Sequence, residues 1–464
     1  MSDEWGDEEQ TECAALTIQQ EDSDTPDDCH MVLDENEETS QNSTQKEISD
    51  YQAARSLFSG QVERAQGDPT DLNKFHRGSA DDFDLLDQPT HAVPPFISRA
   101  IQDLLRTSAR SDVDNDNIRI SAYEALNSVI LDSAEDTLAT ITELVRPLID
   151  GLKQTFSQTP LTTEDNETLV EIQSVLCGLL NDLCTRLQGA IRPFADDIMS
   201  CFLEVLKFSH MTLLDDVLMA VAALANAIGE DFLRYMDAFG PHLMTGLSAV
   251  TSVTVLSLAI TAVGDVSRAL DTKFSPYLDT FYRTTVSILT NPSTDKSLRP
   301  MLLSAIADYA IVSGGAFEPY IQETMRLVQA AQQIKIEDVN DEDQIDFVNS
   351  LRISIFDVYT GLLQGLTRER KAIVLQNYVE EMFKYIIVTC IDRFNTDAVF
   401  VSVLNLIGDA GSVLGGTVHE YLRHPEIQKV LSFGLESLDN DVREASTRAR
   451  NVAKAVEQSR KLSH

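Results

Sequence analysis

Three copies of one phrase, spaced about one helical hairpin apart, restrict this chain more than any other feature. Ala223-Leu224-Ala225-Asn226 precedes Phe232-x2-Tyr235, Ala262-Val263-Gly264-Asp265 precedes Phe274-x2-Tyr277, and Ala305-Ile306-Ala307-Asp308 precedes Phe317-x2-Tyr320. The aromatic recurs after 42 and then 43 residues. That period belongs to two-helix repeats that stack into an α-solenoid. One hairpin cannot bury its own apolar face, whereas stacked hairpins share a continuous core. Small residues let two helices approach closely, and the Phe and Tyr fill the space toward the next pair. Gly229, Pro276, Gly314-Gly315 and Pro319 punctuate the turns, with Gly expected at helix ends and Pro in first turns.

Carrying the small-x-x-Asp register through the chain gives Asn127, Asp182, Asn226, Asp265, Asp308, Asp357 and Asp409. Seven such positions predict seven or eight helix pairs. The fold class expected is all-α: a superhelical solenoid of HEAT-type hairpin repeats, preceded by a disordered acidic segment. Two long intervals are read as insertions, Gln158–Glu167 and the acidic Ile336–Asp346. An Asp followed by an Arg recurs at Asp116/Arg119, Asp295/Arg299 and Asp439/Arg443. The Asp is suited to cap a second helix, and the Arg to reach a carboxylate of a neighbouring repeat.

The net charge is −38. Residues 1–50 hold seventeen acidic side chains against the single base Lys46, and the remaining chain holds 57 acidic and 35 basic. An acidic surface disfavours nucleic acid, whose phosphates need basic groups. It favours basic peptides or protein segments, with a merely solvated surface as the plain alternative. Residues 1–95 read as an acidic disordered segment, 96–457 as the solenoid, and 458–464 as a frayed C-terminus. Within the first segment Asp82-Phe83-Asp84-Leu85-Leu86-Asp87 is an acidic-hydrophobic island with the look of a docking motif.

The six cysteines show no zinc-ligand spacing, and Cys177 and Cys184 share one helix face as core thiols. No cofactor is expected. Met1 opens an acidic stretch, unlike a secretory signal. Ala238–Gly264 carries no Asp, Glu, Lys or Arg, yet its Gly240-Pro241 and many hydroxyls read as two buried helices rather than a membrane span. No P-loop, nucleophile elbow, metalloprotease or dinucleotide motif appears, so an enzyme is not expected.

Four phrases then carry a family resemblance. Ser121-Ala122-Tyr123-Glu124-Ala125-Leu126 is similar to Ser-Ala-Tyr-Glu-Ser-Leu of the importin-β (karyopherin-β) family. Phe232-Leu233-Arg234-Tyr235-Met236-Asp237-Ala238-Phe239 resembles its Phe-Leu-Lys-Tyr-Met-Glu-Ala-Phe. Tyr359-Thr360-Gly361-Leu362-Leu363-Gln364-Gly365-Leu366 resembles its Tyr-Thr-Gly-Ile-Val-Gln-Gly-Leu, and Leu406-Ile407-Gly408-Asp409 also fits. Residues from about 96 to 456 thus resemble the C-terminal half of that family.

The resemblance implies a nuclear transport receptor of cytoplasm, nucleus and nuclear pore. Second helices would line a concave face that wraps a basic importin-α-type adaptor segment or a basic cargo. Convex grooves would take Phe-Gly repeats of nucleoporins. It places Asp182, Asp265, Asp308, Asp357 and Asp409 on second helices, facing the groove and pairing with Lys or Arg of the partner. The matched region leaves out the family's N-terminal half and most of its contact with the GTPase Ran, so release by Ran-GTP is not expected of this chain. Asn451 stands near the place of a family tryptophan in the last repeat. The rival reading is a HEAT scaffold or regulatory subunit without a transport role.

Overall fold

The computed structural model describes residues 94–109, 116–208, 212–368 and 372–462. The predicted disordered segment, with its acidic-hydrophobic island, lies outside them. Among the described residues every regular element is helical. They form eight successive pairs.

The first helices of the pairs are α1 (Pro94–Ser108), α3 (Leu138–Thr155), α5 (Ala195–Phe208), α7 (Met236–Leu247), α9 (Leu278–Thr290), α11 (Ile321–Ala331), α13 (Val379–Ile391) and, in two pieces, α15 (His419–Leu422) with α16 (Pro425–Glu436). The second helices are α2 (Asp116–Asp132), α4 (Thr163–Leu187), α6 (Leu214–Ile228), α8 (Val253–Leu270), α10 (Arg299–Ser313), α12 (Glu342–Thr367), α14 (Asp397–Leu414) and α17 (Asn440–Leu462). Each second helix touches the next, from α2 through to α17, in one unbroken row.

The row is close-packed because its contact positions are small. A Cβ on Gly361 of α12 would lie 2.6 Å from the carbonyl oxygen of Ala307 on α10. One on Gly365 would overlap the carbonyl oxygen of Ala310. Gly264 of α8 leaves room for the carboxylate of Asp308, whose Oδ2 would sit 2.9 Å from an added Cβ. The repeated phrase therefore marks where one second helix rests its backbone on the next.

The Phe-x2-Tyr half of the phrase forms a 3₁₀ corner joining each second helix to the next first helix. The corners include Gln188–Phe194, Gly229–Tyr235, Asp271–Tyr277 and Gly314–Tyr320. Phe232, Phe274 and Phe317 are fully buried there. Five of the corners open on a residue of positive φ, and glycine fills that place at Gly229 (62°), Gly314 (53°) and Gly415 (52°). Gln188 (46°) and Asp271 (47°) adopt the same turn without that freedom. The corner prolines Pro193, Pro276 and Pro319 suit a segment that needs few backbone donors.

Three sequence expectations change. First, the first described helix already includes Pro94 and Pro95, two residues before the expected start, since prolines are tolerated in a first helical turn. At the other end α17 runs to Leu462, so residues 458–462 are helical rather than frayed. Ser459 donates to the Ala455 carbonyl, and Arg460 reaches Glu420 at 2.6 Å, tying that end to α15.

Second, the two insertions lengthen helices. Thr162 and Asp165 close a reciprocal capping box that starts α4, a helix of 25 residues. Asp341 accepts from the Gln344 amide and starts α12, a helix of 26 residues. Acidic side chains in those first turns also suit the positive end of the helix dipole.

Third, the Asp/Arg idea holds for two capping aspartates and fails at Arg443. Asp295 and Asp439 do cap, accepting from the Ser297 and Val442 amides. Arg443 does not reach another repeat; it donates to the Ser437 and Leu438 carbonyls of its own loop.

Three stretches, Val253–Thr290, Lys296–Ala331 and Asp397–Leu422, are long and apolar enough to cross a membrane by composition. Each is interrupted by a 3₁₀ corner or turn, and their apolar side chains feed the shared core. Cys177 and Cys184 are fully buried in that core, where burial pushes both thiols up from their ordinary range.

Candidate interaction surface

The five predicted aspartates all lie on second helices: Asp182 on α4, Asp265 on α8, Asp308 on α10, Asp357 on α12 and Asp409 on α14. All five are half-buried. The row of second helices brings them into one line along its seams, and the seams give most of them partners within the chain. Arg268 of α8 bridges Asp265 of its own helix and Asp308 of the next. Ser304 of α10 donates to Asp357 of α12 at 3.3 Å. Gln364 of α12 donates to Asp409 of α14 at 2.9 Å. Asp182 accepts from its neighbour Asn181 at 2.9 Å. From α8 to α14 the register thus serves first as an inter-repeat ladder, Asp308, Asp357 and Asp409 each linking their helix to the one before, whereas Asp182 is bonded only within α4.

Burial controls the charge of its middle steps. The Asp308 carboxyl is pushed up to about 6, mainly by removal from water. Arg268 opposes that shift, while Asp265 and Asp357 add to it. Asp357 is also raised by burial, with the Ser304 hydroxyl pulling the other way. A carboxylate that is costly to ionise with one cation nearby gains from a second. Further along the row, Asp216 of α6 is raised by burial and by Asp215 beside it. Glu124 on α2 and Glu171 on α4 are exposed acids of the same row of helices.

A second register escaped the sequence reading. The Tyr235 hydroxyl donates to Asp196 of the preceding repeat at 2.6 Å, and Tyr320 does the same to Asp279 at 2.9 Å. Tyr277 stands near Asp237 in the equivalent place, and that carboxylate adds to burial in raising the phenol. The tyrosine of the repeated phrase therefore points back one repeat, to an aspartate in the first turn of a first helix. The recurrent Tyr-x-Asp at Tyr235-Met236-Asp237 and Tyr277-Leu278-Asp279 is the signal that marks these aspartates. Beside them run exposed ion pairs from one repeat to the next: Arg192–Asp231 and Lys273–Glu230 join successive corners, and Arg146 and Lys153 of α3 reach Asp197 of α5. Each is worth at most about 1 kcal/mol at such exposure.

Among the described residues no group of His, Cys, Asp and Glu is arranged to hold a metal ion.

The fold defines a solenoid of two-helix repeats with a carboxylate seam along its second helices. The family model for importin subunit beta-1-like TPR repeats matches residues 79–433, more than three quarters of the chain. The chain belongs to that family. TPR and HEAT units are both helix pairs, so the two repeat names describe the same architecture here. Importin subunit beta-1 of Arabidopsis thaliana is 27% identical over 371 residues, covering 78% of this chain and 43% of the relative. A crystal structure of importin beta superposes with a TM-score of 0.73 at 28% identity, covering 78% of this chain and 44% of that one. A Kap95:Nup1 complex gives a TM-score of 0.68 at 26% identity, covering 79% and 43%. The chain spans less than half the length of these relatives.

Proposed function

We propose that this chain is a nuclear transport receptor of importin-β type, active between cytoplasm and nucleus. Its second-helix row binds a basic segment, from an importin-α-type adaptor or a cargo, and its first-helix side takes Phe-Gly repeats of nucleoporins. The observation that carries the reading is the seam of half-buried carboxylates, in a chain of net charge −38 that belongs to this family. Asp182, Asp265, Asp308, Asp357 and Asp409 are proposed to exchange or share their intrachain donors with incoming Lys and Arg. The nucleoporin half of the proposal rests on the related Kap95:Nup1 complex.

The intrachain bonds of Asp308, Asp357 and Asp409 favour a second reading, a plain scaffold in which the ladder only holds repeats together. Two binding assays on the whole chain separate the readings. A receptor is retained on immobilised Phe-Gly peptide and binds a basic importin-α-type segment with an affinity that falls as salt rises. A scaffold passes the Phe-Gly column and leaves the basic segment free.

A further inference from the structure

The last helix reverses the charge of the rest of the molecule. Between Asn440 and Leu462, α17 carries Arg443, Arg448, Arg450, Lys454, Arg460 and Lys461 against Asp441, Glu444 and Glu457. Its buried side, with Val442, Ala445, Ala449 and Val456, packs on α14 and α16. On the opposite side Glu444, Thr447, Arg448 and Asn451 are exposed.

On that exposed side the chain forms a groove of ≈660 Å³. Leu435 and Val452 give it an apolar floor, and Asn440, Arg443, Thr447, Arg448 and Asn451 stand around it, with Glu444 the one acid among the two arginines. Arg443 is held by the Ser437 and Leu438 carbonyls and by Asn440, so its guanidinium is fixed in place. Arg448 is steadied by Asn405 of α14. Arg450 and Lys454 are exposed and have no ion pair among the described residues. With 3.6 residues per turn, Arg443, Thr447, Arg450 and Lys454 fall within one narrow stripe. At 1.5 Å per residue their charges are about 10 Å and then about 6 Å apart along the axis.

A stripe of cations beside a small apolar floor fits a chain of opposite charge carrying an apolar side chain. We infer that this end of the solenoid is a docking site for an acidic peptide segment of a partner protein, with one apolar residue seated over Leu435 and Val452. The site is chemically distinct from the carboxylate seam and stands whether or not that seam binds a basic segment. A long polyanion such as nucleic acid fits less well, because beyond α17 it meets a strongly acidic surface.

The test uses the whole chain and three labelled probes in fluorescence anisotropy at low salt. They are an acidic decapeptide (nine Glu or Asp residues around one Leu), a neutral Gln/Ser version of it, and a single-stranded oligonucleotide of equal charge. The inference expects the acidic peptide to bind at least tenfold more tightly than the other two. The double substitution Arg450→Glu with Lys454→Glu lies on an exposed face, so helix content should be retained. It should weaken the acidic peptide at least tenfold while leaving a basic peptide unaffected. Acidic-peptide binding that is absent, matched by the oligonucleotide, or indifferent to the double substitution overturns the inference.

Discussion

Adding one methyl group at Gly365 should weaken the solenoid, while the same change at Gly178 should strengthen it. Gly365 lies where α12 crosses α10. A Cβ there would overlap the carbonyl oxygen of Ala310 and lie 2.9 Å from its carbon and 3.3 Å from the Ile311 Cα. Those are backbone atoms and cannot rotate aside. The helices must part toward a normal separation of about 3.5 Å, and neighbouring contacts along the seam loosen with them. Overpacking of this kind costs roughly 1–3 kcal/mol. A backbone clash belongs near the top of that range. Replacing a mid-helix Gly by Ala returns about 1 kcal/mol through helix propensity. Gly365→Ala should therefore lose about 2 kcal/mol. Gly178, inside α4, has nothing within 4 Å of an added Cβ. Gly178→Ala should keep the whole gain of about 1 kcal/mol. Urea unfolding followed by far-UV circular dichroism should place the two midpoints on opposite sides of wild type. A Gly365→Ala midpoint at or above wild type, or a shift of both in one direction, refutes close backbone packing at this seam.

Other consequences are as specific. Asp308 is held near 6, above its unfolded value of 3.8, so folding favours its neutral form. Its contribution is fully present below pH 4 and is lost as pH rises through about 6. Relative to Asp308→Asn, wild type should lose roughly 1–3 kcal/mol between pH 4 and pH 7.5. A difference in denaturation midpoint that stays constant with pH contradicts this. Gln188 opens a corner at a φ of 46°, where a side chain is strained, so Gln188→Gly should raise stability by about 1 kcal/mol. The reverse change at an equivalent corner, Gly229→Ala, should lower it by a similar or larger amount, read from the same urea curves.

The close packing of second helices is legible in the sequence because it needs small residues, and small residues at a fixed period are visible. Ala307 and Ala310 on one side and Gly361 and Gly365 on the other are that requirement written out. The corners are partly legible: Gly229, Gly314 and Pro276 announce them, whereas Gln188 and Asp271 adopt the same turn without any such sign. The starts of α4 and α12 mislead because Thr162, Asp165 and Asp341 resemble loop composition. Their side chains instead supply the missing acceptors of helix starts, and the helices extend.

The aspartate register is visible in the sequence as a recurrence, and the family resemblance is what places it on second helices. Its bonding is not visible there, since Arg268 could face solvent or the next helix with the same sequence. The Tyr235–Asp196 and Tyr320–Asp279 links join residues 39 and 41 positions apart. Only the stacking distance of the repeats brings them together.

The most direct test of the account is the salt dependence of binding to a basic importin-α-type segment, measured for wild type and for a variant carrying Asp265→Asn and Asp357→Asn. If the seam carboxylates pair with the segment's cations, the wild-type affinity falls steeply with ionic strength, and the variant binds more weakly with a shallower slope. Equal affinities with equal slopes, or no binding by wild type at low salt, would contradict the account.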